Sequence, residues 1–180
     1  MQIIHRILSV LLVIVGLFLT IIGITTPSET KFTYTEVILS PVQVVWPVLT
    51  DPERMTLWQN GMEKIKAEQK GELKEGTILF GYAREYDPGI YHEDKIIRIT
   101  PEKNFTLMRL KSDRNTVIRD YSQTYELKRL RDGTTELTCG IFYRCPGFIS
   151  RIYNRLYMQK RIESRVRDSI RRLKNLIEQI

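Results

Sequence analysis

"SPVQVVWPVLTDPERMTLW", residues 40–58, carries two helix-start signals in succession and both tryptophans of the chain, Trp46 and Trp58. Ser40 with Pro41 is the first signal. A serine hydroxyl satisfies an open backbone N–H, and a proline at the first helical position gives up an N–H that has no partner there. Pro47 disturbs any long continuation. "TDPERMTLW", residues 50–58, repeats the device, with Thr50 or Asp51 as cap and Pro52 as start. Two short consecutive helices are expected.

Upstream, "FTYTEVIL", residues 32–39, is β-branched and aromatic with rough alternation, which predicts a strand. Downstream, residues 61–144 break into strand-length runs: "MEKIKAEQ", "TILFGYARE", "YHEDKIIRIT", "NFTLMRLK", "TVIRDYSQTYELKRL" and "TTELTCGIFYR". Each break carries Gly, Pro, Asp or Asn, as in "DPG" at 87–89 and "SDRN" at 112–115. Connections this short imply antiparallel pairing. From Phe148 to Ile180 there is no Gly or Pro, and Ile152, Leu156, Ile162, Val166, Ile170, Leu173 and Ile177 recur near every 3.6 residues. One long amphipathic helix is expected there, and a curved antiparallel sheet would supply the surface it must cover.

This order, with Ser40, Pro41, Val45, Trp46, Leu49, Asp51, Pro52 and Trp58 in the opening motif and Gly76 before the third strand, resembles the START/Bet v1-like superfamily (SRPBCC, polyketide cyclase/dehydrase-like). The resemblance covers residues 32–180. It implies an α+β helix-grip fold: a curved seven-stranded antiparallel sheet around a long C-terminal helix, with a cavity between them that the two short helices close at one end. Val45, Trp46 and Leu49 are then expected in the core and Trp58 nearer the cavity mouth. Pro47 departs from the usual pattern, as does the N-terminal segment.

That segment, residues 7–25, "ILSVLLVIVGLFLTIIGIT", has no charged residue over a length that crosses a ~30 Å hydrocarbon core. Its apolar run is longer than a signal peptide's, and "GITTPSET" is a poor cleavage site. The expected organisation is a single-pass membrane anchor at 1–25, a polar linker at 26–31 and the domain at 32–180. Lys and Arg are balanced across the span, so orientation rests on the default for N-terminal anchors, which puts the domain outside the cytoplasm.

A ligand cavity needs apolar and aromatic side chains with a few polar groups among them. Tyr121, Gln123, Tyr125 and Leu127 share one strand face. Ile78, Phe80 and Tyr82 share another, with Arg84 at its end. On the long helix Gln159 interrupts the apolar stripe between Leu156 and Ile162, and Tyr153 and Tyr157 flank it. The expected ligand-binding set is Trp58, Phe80, Tyr82, Tyr121, Gln123, Tyr125, Tyr153, Leu156 and Gln159.

Enzyme chemistry has little to build on. His92 and Asp94 can share a face, but Glu93 between them points away. His92 is expected as an exposed strand or turn histidine, so no catalytic residue is assigned. No metal or cofactor is expected: nothing resembles a zinc, iron or phosphate-loop motif. Cys139 and Cys145, six positions apart on an extended strand, are separated by roughly 20 Å and are expected as free thiols, Cys139 as a small buried apolar residue.

Charge is the other signal. Residues 151–180 hold nine basic and three acidic side chains, nearly all of the chain's net +7. Arg151, Arg155, Arg165 and Arg172 are expected to face a membrane surface, because anionic headgroups are nearer to a tethered domain than nucleic acid is. The functional expectation is a membrane-anchored binding or transfer protein for a hydrophobic small molecule or lipid. The alternatives are a cyclase- or hydrolase-like enzyme of the same fold, and a ligand-free module docking through its basic helix.

Overall fold

The computed structural model describes residues 2–69, 71–83, 91–112 and 117–179. Arg84, the turn at 87–89 and residues 113–115 of the second expected turn lie outside the described residues.

The element order follows the sequence pattern: α1 Gln2–Thr25, β1 Glu29–Ile38, α2 Val42–Thr50, α3 Pro52–Trp58, β2 Met62–Ala67, β3 Ile78–Ala83, β4 Tyr91–Thr100, β5 Asn104–Ser112, β6 Arg119–Arg129, β7 Thr135–Arg144, α4 Phe148–Tyr153, a π-helical turn Asn154–Met158, and α5 Gln159–Glu178. The seven strands form one antiparallel sheet in the order β1-β7-β6-β5-β4-β3-β2. Register shifts in the β2–β3, β4–β5 and β6–β7 pairs bend the sheet. Its concave face is covered by α2, α3 and α5. Ile38, Val45, Leu49, Trp58, Phe105, Tyr125, Leu137, Ile170 and Leu173 are buried between these layers. This is the helix-grip fold that the motif order implies.

Three local expectations change. β1 begins at Glu29 rather than 32, because Glu29 to Lys31 already pair with Arg144 to Phe142. Pro41 is the N-cap of α2 rather than its first residue, and the Ser40 side chain makes no capping bond. Instead the Ser40 carbonyl accepts from Thr135 Oγ1 at 2.7 Å, tying the helix start to β7. At α3 the cap resolves to Asp51, whose carboxylate accepts from Glu53 N at 3.0 Å.

The third change is the π turn. The expected single stripe runs inward at Val166, Ile170, Leu173 and Ile177, but Leu156 is 53% exposed. Asn154 takes the inward position instead. It accepts from Tyr143 Oη at 2.7 Å and donates to Thr30 Oγ1 at 3.0 Å, and it is buried. An extra residue per turn re-phases the helix so that this amide, and not the neighbouring leucine, meets the sheet. The helix then follows β1 along its length: Asn154 meets Thr30, Lys174 Nζ meets Glu36 at 2.9 Å, and Glu178 accepts from Leu39 N at 2.9 Å.

The other end of the molecule belongs to α1. It is long and apolar enough to cross a membrane, about 36 Å at 1.5 Å per residue, and almost all of it is exposed. Gly23 is buried because the Phe148 ring lies where a Cβ would sit.

Candidate functional site

The concave face of β4, β5 and β6 carries a connected line of polar side chains. It starts at His92 on β4. The residue across from it on β3 is Gly81, and a Cβ there would collide with the imidazole, so glycine makes room for the ring. His92 Nε2 lies 3.2 Å from Asp94 Oδ2, two residues along the strand and therefore on the same face. Arg109, paired with Asp94 across β4–β5, closes a two-pronged bridge: Nε to Oδ1 at 2.8 Å and Nη2 to Oδ2 at 3.0 Å.

The line continues through Arg109, whose guanidinium stands 4.9 Å over the Tyr121 ring. Tyr121 Oη donates to Gln123 Oε1 at 3.4 Å, and Gln123 Nε2 donates to Tyr125 Oη at 2.6 Å and lies 3.5 Å from Cys139 Sγ. Below it the chain becomes apolar. Tyr125 meets Trp58 edge-on at 5.9 Å and stacks on Phe105 at 6.0 Å.

Burial dictates the charge states. Desolvation alone would raise the Asp94 carboxyl, but the Arg109 charge and the hydrogen bonds from His92 and Arg109 outweigh it and hold the group well below the carboxylate range. Arg109 is desolvated too, and Asp94 more than restores its charge. Burial raises the Tyr121 and Tyr125 hydroxyls, so both are neutral. Burial also pushes the Cys139 thiol up to about 12, partly offset by Gln123. Both cysteines are free and buried.

The line runs from a sealed end to one reached by solvent. Tyr125 and Cys139 are fully buried, whereas Tyr121 and Gln123 are half-buried and the Arg109 side chain is 30% exposed. Beside His92 and Asp94 a pocket lined by Met55, Gln59, Ile65, Leu79 and Leu107 has a volume of ≈ 10 Å³. That holds about one water.

The expected ligand set divides. Tyr121, Gln123 and Tyr125 come together on the inner face. Trp58 is in the core rather than at a mouth: it is fully buried and donates from Nε1 to the Val48 carbonyl at 3.2 Å. Phe80 and Tyr82 are on the opposite face, because Leu79 and Gly81 are the buried residues of β3. The one-residue phase of a strand decides this, and the small Gly81 masks it in the sequence. Tyr153 and Leu156 are exposed, and Gln159 bonds Glu163 on its own helix at 2.9 Å instead of reaching the sheet. His92 is buried and paired, not exposed. The residues missed are Arg109 and Asn154. Arg109 was legible, since "FTLMR" places Phe105, Leu107 and Arg109 on one strand face.

Of the expected surface arginines, Arg155, Arg165 and Arg172 are exposed and Arg151 half-buried. They do not sit together: Arg172 is about 26 Å along the helix from Arg155, at 1.5 Å per residue. Part of the basic face is engaged, as Arg167 lies 3.7 Å from Glu163 and stands over the Phe32 ring.

Residues 29–178 match the family model described as "Polyketide cyclase / dehydrase and lipid transport". Among solved structures, protein NE0264 from Nitrosomonas europaea is similar at 15% identity and TM-score 0.62, over 83% of this chain and 94% of that one. Ara h 8.0201 is similar at 12% identity and TM-score 0.65, over 84% of this chain and 99% of that one. No curated protein sequence matches the chain. Identities this low carry the fold alone.

Proposed function

Because the chain belongs to the polyketide cyclase/dehydrase and lipid transport family, we propose that it is a membrane-tethered binding protein for a hydrophobic small molecule or lipid with a hydrogen-bonding head. One observation carries this reading: the inner-face line from Arg109 through Tyr121 and Gln123 to Tyr125, open to solvent at one end and apolar beneath. Buried polar groups cost free energy unless partnered, and an apolar core alone would need none of them. Tyr121 and Gln123 orient the head, while the apolar body parts α5 from the sheet. A ligand entering beside His92 requires opening, because the pocket there is far below the ~300 Å³ of small-ligand sites. In this reading α1 is an uncleaved anchor and the sheet-and-helix domain is the binding unit.

The test is native mass spectrometry with organic extraction of the full chain purified in mild detergent. The expected result is a stoichiometric hydrophobic molecule, retained about ten-fold less by Gln123→Leu, which removes the amide's hydrogen bonds with Tyr121, Tyr125 and Cys139. A ligand-free mass, unchanged after incubation with membrane extract, would overturn the binding reading and leave docking through the basic helix.

The His92–Asp94 pair beside the pocket supports a second reading, an acid–base enzyme on the same fold. Its mark would be turnover lost in His92→Gln while the extracted molecule is still bound.

A further inference from the structure

α4 and the π turn behind it present an apolar surface that the domain itself does not use. Ile149 is 78% exposed and Leu156 53% exposed, and the exposed Tyr153 and Tyr157 rings lie 5.5 Å apart. Positions 149, 153, 156 and 157 are exposed, while Ser150 and Asn154 on the same segment are buried. The π turn creates this arrangement by turning Asn154 inward and Leu156 out. Arg155 and Arg161 belong to the same surface, with Arg161 donating to Tyr157 Oη at 2.6 Å. Arg151 carries a buried Nε with no acceptor among the described residues.

The position of this surface is set by α1. Gly23 lies against the Phe148 ring, and Gly23 is two residues, or about 3 Å, from the end of α1 at Thr25. Only residues 26–28 separate α1 from β1, and Cys145 N donates to the Ser28 carbonyl at 2.6 Å. A helix that spans a bilayer ends at the headgroup layer. A ring packed on its last turn is at the same depth, so α4, which packs on α1, starts at that layer.

We propose that α4 and the π turn form a wedge seated in the interfacial layer of the bilayer that α1 crosses, with Ile149 and Leu156 in the acyl boundary, Tyr153 and Tyr157 at headgroup level, and Arg151 and Arg155 on lipid phosphates. This rests on the reading of α1 as an anchor. The chemistry matches an interfacial element: aliphatic side chains below, tyrosines at the boundary and arginines toward anionic lipid. The wedge adds a second attachment, so the domain is held against the surface at a fixed tilt.

The test places single cysteines carrying an environment-sensitive fluorophore at Leu12→Cys, Ile149→Cys and Lys128→Cys in the full chain. The chain is reconstituted in vesicles of mixed phosphatidylcholine and phosphatidylglycerol with bromine-labelled acyl chains. Both native thiols are buried, and Lys128 is exposed on β6 beside Glu136, at the sheet end away from α1. The expected result is quenching at positions 12 and 149 several-fold stronger than at 128. Quenching at 12 with none at 149 would overturn the wedge and leave the anchor standing. Quenching at neither would overturn the anchor and the wedge with it.

Discussion

Asp94→Ala is expected to remove about 3–5 kcal/mol of stability, a large fraction of the roughly 5–15 kcal/mol a domain commonly has. The carboxylate is 14% exposed and is the shared partner of two groups, His92 and the Arg109 guanidinium. Deleting it leaves a desolvated cation with no counter-charge and an imidazole with no acceptor at that position. Asp94→Asn keeps the shape but loses the charge, so it is expected to fall between wild type and alanine. Urea unfolding of the detergent-solubilised chain, followed by tryptophan fluorescence, measures this. A loss below about 1 kcal/mol would mean that the bridge behaves as a screened surface pair. The pH dependence gives an independent reading. The folded-state value of Asp94 lies below its ordinary 3.8. The unfolded chain therefore binds the proton first, and stability is fully present above the ordinary value and lost as pH falls below it toward the folded value. Wild type is expected to show that acid slope, and Asp94→Ala to have less of it.

Trp58→Ala is expected to cost about 3–5 kcal/mol as well, through a cavity rather than a charge. Trp58 is the largest fully buried side chain, it holds the ring of Tyr125 edge-on, and its Nε1 satisfies the Val48 carbonyl. The same substitution separates two roles. A residue at the lip of a cavity would lose ligand retention with stability nearly unchanged. A core residue loses stability first. Thermal unfolding read alongside the mass of co-purified ligand decides between them.

The fold was legible because its cues are local and repeated. Two proline-led helix starts, turn residues after each short run and a 3.6-residue stripe all agree, and antiparallel neighbours joined by short turns leave little topological choice. The site was only half legible, for reasons visible at single residues. The face of β6 could be read because Tyr125 and Leu127 extend a regular alternation. The face of β3 could not, because its inward position holds Gly81, whose missing side chain exists to admit His92. The C-terminal helix misled at Leu156 because periodicity assumes one pitch throughout, and the demand of Tyr143 and Thr30 for the Asn154 amide changes that pitch locally. His92 looked idle because its partner's partner, Arg109, comes from the next strand, and that pairing becomes visible only when β4 and β5 are in register.

Cys139 gives the molecule a built-in gauge of its own opening. Its thiol sits at the sealed end of the polar line, against Gln123, and burial keeps it protonated at neutral pH. A thiol in that state reacts slowly until water and reagent reach it. If ligand entry parts the layers as proposed, the alkylation rate of this thiol reports how often that happens. A hydrophobic guest that fills the space would slow the count, and a guest caught halfway in would quicken it. In the proposed binding reading, ligand entry can be timed at one sulfur atom, without knowing beforehand what the ligand is.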